Sequence, residues 1–385
     1  MRDRSWSGLT AFRARVRGCL LGGALGDALG NPVEFLSLGQ IRATYGDAGI
    51  TGLVPDRDGV TGRVTDDTQL TLFTAEGCLQ AYQREQAKGI GGAAAALMHE
   101  AYLRWLDTQN HPSPPPAGGH RHRYGWLREQ PWLYARRAPG TACLTGLASG
   151  HIPRMGSPPD GTPGAANPQS KGCGAVMRSA PFGFFCADAK RAFELAAACA
   201  QLTHGHPTGY YAAGAFAAMI RYLADGDSLP GAVLRALELL ARYPGHEETT
   251  AAVRKAVDLA ADGEAAPATL ETLGAGWVAE EALAIAVYAA LARTRQVWGM
   301  DTQGVVCDPN PPRTPIEAAF LLAVNHSGDS DSTGAICGNL LGAWHGDVRL
   351  PQRWLSQVEG RGTIASLADD CAAELCPGED RPWDS

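Results

Sequence analysis

Gly18, Gly22, Gly26 and Gly30 recur every four residues near one end of the chain, and Gly334, Gly338, Gly342 and Gly346 do the same near the other. A spacing of four places each set along one face of an α-helix. Glycine inside a helix costs about 1 kcal/mol relative to alanine, so ridges of this kind need an offsetting gain. Close approach of two backbones supplies it, because no Cβ then stands between the helices. Small residues at this spacing also pack helices inside membranes. Here Asp27 and Asp347 interrupt the ridges, and no uncharged apolar run reaches the roughly 18 residues of a membrane helix. The ridges therefore predict central helices of a water-soluble fold. They also predict that the first and last segments of the chain meet.

The rest of the 385 residues reads the same way. Ala- and Leu-rich stretches dominate at 70–87, 91–107, 189–201, 209–224, 230–242, 248–262, 277–295, 314–324 and 333–345. Leu195, Ala198, Cys199 and Leu202 fall at helical spacing, as do Val233, Leu234, Leu237 and Leu240, while period-2 alternation is sustained nowhere. The expected fold class is all-α. Two proline-rich segments, 111–125 and 153–172, cannot be helical and are expected to be surface excursions. No clear break in composition flanks them. One domain over 10–377 is therefore expected, with a tail at 378–385, and hydrophobic residues at 45% suffice for its core.

The formal net charge of −7 argues against a dedicated nucleic-acid binder, which needs a basic face. No apolar leader core follows Met1. Most of the ten cysteines sit in apolar runs (Cys19, Cys78, Cys199, Cys337), and no C-x-x-C pair occurs. A reduced, cytoplasmic protein without structural zinc is expected.

Two acidic clusters carry the chemistry. Thr65-Asp66-Asp67-Thr68 precedes an apolar helical run beginning near Leu70, and Asp329-Ser330-Asp331-Ser332-Thr333 precedes another beginning near Ala335. Each cluster thus lies at a helix N-terminus, where hydroxyls and carboxylates cap free N–H groups and suit the positive end of the dipole. One carboxylate would need no other explanation. Two with hydroxyls, twice over, repel one another unless cations intervene, and oxygen-only ligands point to Mg²⁺ or Mn²⁺. Capping and metal binding both stay open on this evidence. If the two helix starts meet, the set suits a two-metal site.

Competing motifs fit less well. Asp329-x-Asp331-x-Thr333-Gly334 resembles the start of an EF-hand loop, but Leu340 stands where that loop needs a glutamate. It also matches the D-x-D-x-T of haloacid-dehalogenase-type phosphatases, a fold that needs a parallel sheet this chain does not suggest. Ser170-Lys171-Gly172-Cys173-Gly174-Ala175-Val176-Met177-Arg178 is a glycine-rich loop opening a helix, suited to a phosphate or to nothing more than a helix start. Nothing specific marks Cys173 as a nucleophile. His204-Gly205-His206 and His120-Arg121-His122 are too short to define zinc sites, though His204 suits a polar ligand contact. Glu34, at the end of the first ridge, would lie beside the helix starting at Asp331. A salt-bridged surface glutamate is the equal alternative.

Taken together, these pieces resemble one family, the ADP-ribosylglycohydrolases. The matching segments are 18–34, Val64-Thr-Asp-Asp-Thr-Gln69, Gly172-Cys-Gly-Ala-Val-Met-Arg178, Leu202-Thr-His-Gly-His206, Gly276-Trp-Val-Ala-Glu-Glu281 and Gly328-Asp-Ser-Asp-Ser-Thr-Gly334. They span most of the chain, and their combination is specific where each alone is not. The resemblance implies a compact all-α orthogonal helical bundle with a binuclear Mg²⁺ or Mn²⁺ centre in a cleft. It implies hydrolysis of the glycosidic bond between ADP-ribose and a modified acceptor, releasing ADP-ribose. By position it implies Thr65, Asp66, Asp67, Asp329, Asp331 and Ser332 as metal ligands. Glu34 matches a glutamate that approaches the metals, and Glu34, Asp66 and Asp67 are the candidate proton acceptors. Gly172, Cys173 and Gly174 match a diphosphate cradle with His204 nearby, and Trp277 and Val278 an adenine-side wall. An ADP-ribosylated protein is the expected substrate, with modified DNA or RNA ends left open, and a monomer is the expected state. A non-catalytic ADP-ribose-binding or immunity-type protein on the same fold is the alternative. The proline-rich loops match nothing in the resemblance.

Overall fold

In a computed structural model, described over residues 6–89, 92–153, 158–262, 265–295 and 314–375, the two glycine ridges face each other. Helix α1 (Trp6–Gly30) carries the first. A Cβ added to Gly18, Gly22, Gly26 or Gly30 would meet the backbone oxygen of Gly342, Gly338, Gly334 or Ser330, respectively, at under 3.0 Å. The partners descend as α1 ascends, so the helix from Ser330 to His345 runs antiparallel to it. The reciprocal contacts are as tight at Gly334, Gly338 and Gly342. Asn339 closes the seam by donating from Nδ2 to the carbonyl of Cys19 at 2.8 Å. Gly346 differs from the other ridge residues: it follows the helix at φ +78°, so it ends the helix rather than packing within it.

After α1 the helices follow as α2 (Leu38–Tyr45), α3 (Asp66–Lys88), α4 (Ala94–Asn110), α5 (Thr141–Ala148), α6 (Phe182–Phe185), α7 (Ala189–Ala200) and α8 (Pro207–Ala224). Then come α9 (Leu229–Leu240), α10 (Glu247–Asp262), α11 (Pro267–Glu271), α12 (Ala279–Arg295), α13 (Pro315–Val324), α14 (Ser330–His345), α15 (Gln352–Leu355) and α16 (Arg361–Leu375). Among the described residues there is no strand beyond two isolated bridges, Pro55–Thr61 and Gly172–Val278. The fold is thus all-α, as the periodicity predicts, and one hydrophobic cluster runs from Phe12 to Leu375. Helix α8 is buried along almost its whole length, with Tyr210, Tyr211, Phe216 and Ile220 fully inside. None of the described helices is long and apolar enough to cross a membrane. The eight cysteines among the described residues are free thiols.

Among the described residues the proline-rich segments form no α-helix and lie at the surface, as expected, each tied back to the body of the protein. The first is anchored on a buried ion pair: Arg104 Nε donates to Glu76 at 2.8 Å and Arg104 also reaches the carbonyl of His122. The second is pinned at its end by Asn167, whose Nδ2 donates to the carbonyls of Ala142 and Thr203 at 3.0 and 2.9 Å. A half-buried amide that donates twice ties its segment to the two carbonyls. The expected tail at 378–385 and residues 154–157 of the second loop lie outside the described residues.

Candidate functional site

The start of α3 is organised from α1. Asp27, fully buried on the ridge helix, accepts from the backbone N–H of Thr65 at 3.0 Å and of Thr68 at 3.1 Å, and from the Thr68 hydroxyl. Thr65 itself caps the helix through Oγ1, which accepts from the N–H of Asp67 at 3.2 Å. The free N–H groups that capping would assign to Asp66 and Asp67 are therefore satisfied by other residues. The two carboxylates are left for something else. Asp67 Oδ1 is buried without any partner, and the backbone of Asp66 is held by the carbonyl of Arg137 at 3.2 Å.

The start of α14 stands opposite. Asp329 occupies the N-cap position but accepts no cap hydrogen bond there. Its Oδ2 instead accepts from the Cys173 thiol at 2.8 Å. Asp331 accepts from the N–H of Ser332 at 3.0 Å and from the Thr65 side chain, which ties the two helix starts together. Glu34 comes off the end of α1, with its N–H on the carbonyl of Gly30 at 2.9 Å. Carboxylate oxygens of Glu34, Asp329 and Asp331 all lie within 4.8 Å of one another. Asp66 and Asp67 stand outside that triad and border it.

Electrostatics says what this grouping lacks. Burial, then Asp331, Asp329 and Asp66, push Glu34 up to about 10. Burial followed by Asp331 also raises Asp66, Asp67 and Asp329 well above the carboxylate range. Asp27 is pushed up to about 7 by burial and Asp331, against the hydrogen bonds it accepts from Thr68 and Thr65. Such a set cannot ionise together unless positive charge is added. Oxygen-only donors, crowded carboxylates and an orphaned buried oxygen fit a hard divalent cation.

The other residues singled out in sequence lie on the far wall. Segments 171–173 and 277–279 are zipped together: Cys173 N–H donates to the carbonyl of Trp277 at 3.2 Å, and Ala279 N–H to that of Lys171 at 2.8 Å. The N–H of Cys173 is thus already engaged, leaving less of this loop free for an anion than its sequence suggests. A Cβ on Gly174 would meet Cys143 Sγ at 2.9 Å and His204 Cε1 at 3.1 Å, so only glycine fits beside that histidine. His204 is buried, its Nδ1 bonded to the Thr203 hydroxyl at 2.8 Å; burial and then Arg178 hold it down at about 3, so it is neutral. The Ser332 hydroxyl faces Cys173 Sγ at 3.6 Å. Trp277 is 40% exposed and stacks on Phe35, with ring centroids 5.1 Å apart.

Three contributors escape a reading of the sequence. Asp27 looks like an interruption of the glycine ridge, although a lone carboxylate in a buried apolar helix is itself a signal. Phe35 sits at φ +68°, unusual for a bulky residue, and nothing in its neighbours announces that. Arg178 is 1% exposed and donates to Thr203 at 2.6 Å, fixing the residue that orients His204.

Fold and site together define an all-helical protein, over its described residues, with an acidic triad where two helix starts meet. The sequence matches the family model described as ADP-ribosylglycohydrolase over residues 9–381, and the chain belongs to that family. An ADP-ribosyl-[dinitrogen reductase] glycohydrolase of Rhodospirillum rubrum is 24% identical over 352 residues, covering 90% of each chain. An ADP-ribosylarginine hydrolase of Serratia proteamaculans is 23% identical, covering 95% of this chain and 81% of its own. An uncharacterized protein of Archaeoglobus fulgidus is 27% identical over 92% of this chain and 94% of its own. A solved structure titled ADP-ribosylglycohydrolase-related protein complex superposes with a TM-score of 0.58 over 95% of this chain and 99% of that one, at 23% identity.

Proposed function

We propose that this chain hydrolyses the glycosidic bond between ADP-ribose and a modified protein side chain, releasing ADP-ribose. Two Mg²⁺ or Mn²⁺ ions would be held by Thr65, Asp66, Asp67, Asp329, Asp331 and Ser332. The observation that carries this reading is that Asp27 and Thr65 cap the start of α3 while Asp329 accepts no cap bond at the start of α14, so Asp66, Asp67, Asp329 and Asp331 are buried together with no cation beside them among the described residues. When bound, the ions supply the missing positive charge and polarise water and ribose hydroxyls.

The chain's own groups do the rest. Cleavage at the ribose anomeric carbon passes through an oxocarbenium-like state, and the surrounding carboxylates favour that developing positive charge. Glu34, Asp66 or Asp67 accepts the proton of the attacking water. Gly172, Cys173 and Gly174 line the diphosphate side, with neutral His204 beneath them. Trp277 and Val278 form the adenine side. Free thiols support a reducing, cytoplasmic setting, and the monomer is the working unit.

The test is release of free ADP-ribose from modified arginine, modified serine and modified nucleic-acid ends, with and without EDTA. Release from a protein acceptor that EDTA and Asp329→Asn both abolish is expected. A protein that binds ADP-ribose and releases none from any acceptor would be a binding module instead. Turnover indifferent to both treatments would sink the metal reading.

A further inference from the structure

A cleft of about 960 Å³ is lined by Glu34, Phe35 and Thr65 together with segments 56–58 and 135–139; Gly172, His204 and Trp277 are not in its lining, although Phe35 stacks on Trp277. Its charges resolve into two groups. Asp56 is consumed by its own turn, accepting from the N–H groups of Asp58 and Val60, and by Arg63 at 3.0 Å; Arg63 also pairs with Asp58. Arg137 is consumed by Glu359, through two contacts at 3.0 Å, and by the carbonyl of Val64. Arg57 and Arg136 line the cleft, are exposed, and make no ion pair among the described residues. On a chain of net charge −7, two unpaired cations in a cleft that Glu34 also lines are a local reversal of sign.

We infer that this cleft receives the acceptor side of the substrate, and that Arg57 and Arg136 select acceptors whose modified residue is flanked by aspartate or glutamate. The inference rests on the hydrolase reading, which puts ADP-ribose against Gly172, His204 and Trp277, outside the lining of this cleft. The volume exceeds that of one side chain and admits several residues of extended polypeptide. Each guanidinium presents a fork that matches a carboxylate. The arginines come from separate segments, 56–58 and 135–139, a layout that suits two discrete carboxylates better than a continuous phosphate track.

Two measurements test it together. The first is the kcat/KM ratio for ADP-ribosylated peptides with Glu-rich against Ser/Gly flanks, in wild type, Arg57→Gln, Arg136→Gln and the double variant. Loss of each arginine is expected to lower the preference for acidic flanks about fivefold, the upper end for an exposed pair, with the effect fading at high salt. The second is fluorescence anisotropy of the same unmodified peptides and of a short single-stranded oligonucleotide on the full chain, which needs no turnover. Tighter binding of the acidic peptide, lost in the double variant, supports the inference even if no substrate is hydrolysed; the hydrolase reading would then fail alone. Equal preference in wild type and double variant overturns it. So does arginine-dependent binding of the oligonucleotide in preference to the acidic peptide.

Discussion

Helices α3 and α14 begin side by side with almost the same residues, and they are held in opposite ways. The first start is served by a dedicated carboxylate, Asp27, reaching from another helix to three donors. The second has no side-chain cap; its position follows from the glycine seam, where Gly30 touches the carbonyl of Ser330. Structural work at these starts is thus done by Asp27, Thr65 and the glycines rather than by the motif carboxylates. The same residue type, aspartate, stabilises at one place and strains at the other.

The largest break in this comparison comes from the seam. Gly26→Leu should cost about 3 kcal/mol or more, or prevent folding, because the side chain would enter the backbone of Gly334. Gly39→Ala, on the open face of α2 where the nearest foreign atom is Ser37 Oγ at 3.9 Å, should instead be neutral or slightly stabilising. Urea denaturation of both variants checks the contrast.

Asp27→Leu should come next, at about 3 kcal/mol, because it strands three buried donors; Asp27→Asn should cost roughly half that. Asp329→Asn, measured in EDTA, should leave the unfolding midpoint unchanged or raise stability by up to about 1 kcal/mol, since it relieves a crowded set of carboxylates. Added Mg²⁺ should stabilise wild type and not this variant. Equal losses for the two aspartates in EDTA would refute the division of labour.

The smallest effect concerns the loop that touches Asp329. Lys171 pairs with Glu280 and, at 2.6 Å, with Glu248, which also accepts from Thr208. Hydrogen bonds from Lys171 and Thr208 hold Glu248 below the usual glutamate range. Its contribution is therefore present above that range and lost as pH falls through the lowered value. With Glu248 half exposed, Glu248→Gln should cost under about 1 kcal/mol at pH 7 and still less in acid. Midpoints measured at pH 7 and pH 4 read the difference.

Much of this was legible before any coordinates. Four-residue spacing of glycine announced the seam, and the long apolar runs correspond to α3, α4, α7–α10 and α12–α14. The acidic motifs lie in the first turns of their helices, a few residues earlier than the apolar runs alone suggest. Helices α2 and α5, of eight residues each, are too short for periodicity to show. Helix α16 carries a readable pattern of its own: Ile364, Leu367, Ala368, Cys371, Ala372 and Leu375 follow helical spacing closely. The roles of Asp27 and of Asn167 depend on partners 38 to 41 and 25 to 36 residues away, so no local pattern encodes them. Separating the triad of Glu34, Asp329 and Asp331 from Asp66 and Asp67 required distances.

The seam also sets a schedule for synthesis. Asn339 and Cys19 are 320 residues apart, so α1 leaves the ribosome long before the surface it fits exists. At ordinary translation rates of about 5–20 residues per second the wait is on the order of half a minute. Throughout it, a groove of bare backbone flanked by Leu20, Leu21, Leu25 and Leu29 has no partner. Closure of the seam must therefore wait until α14 has been made, however early α1 takes up its helix.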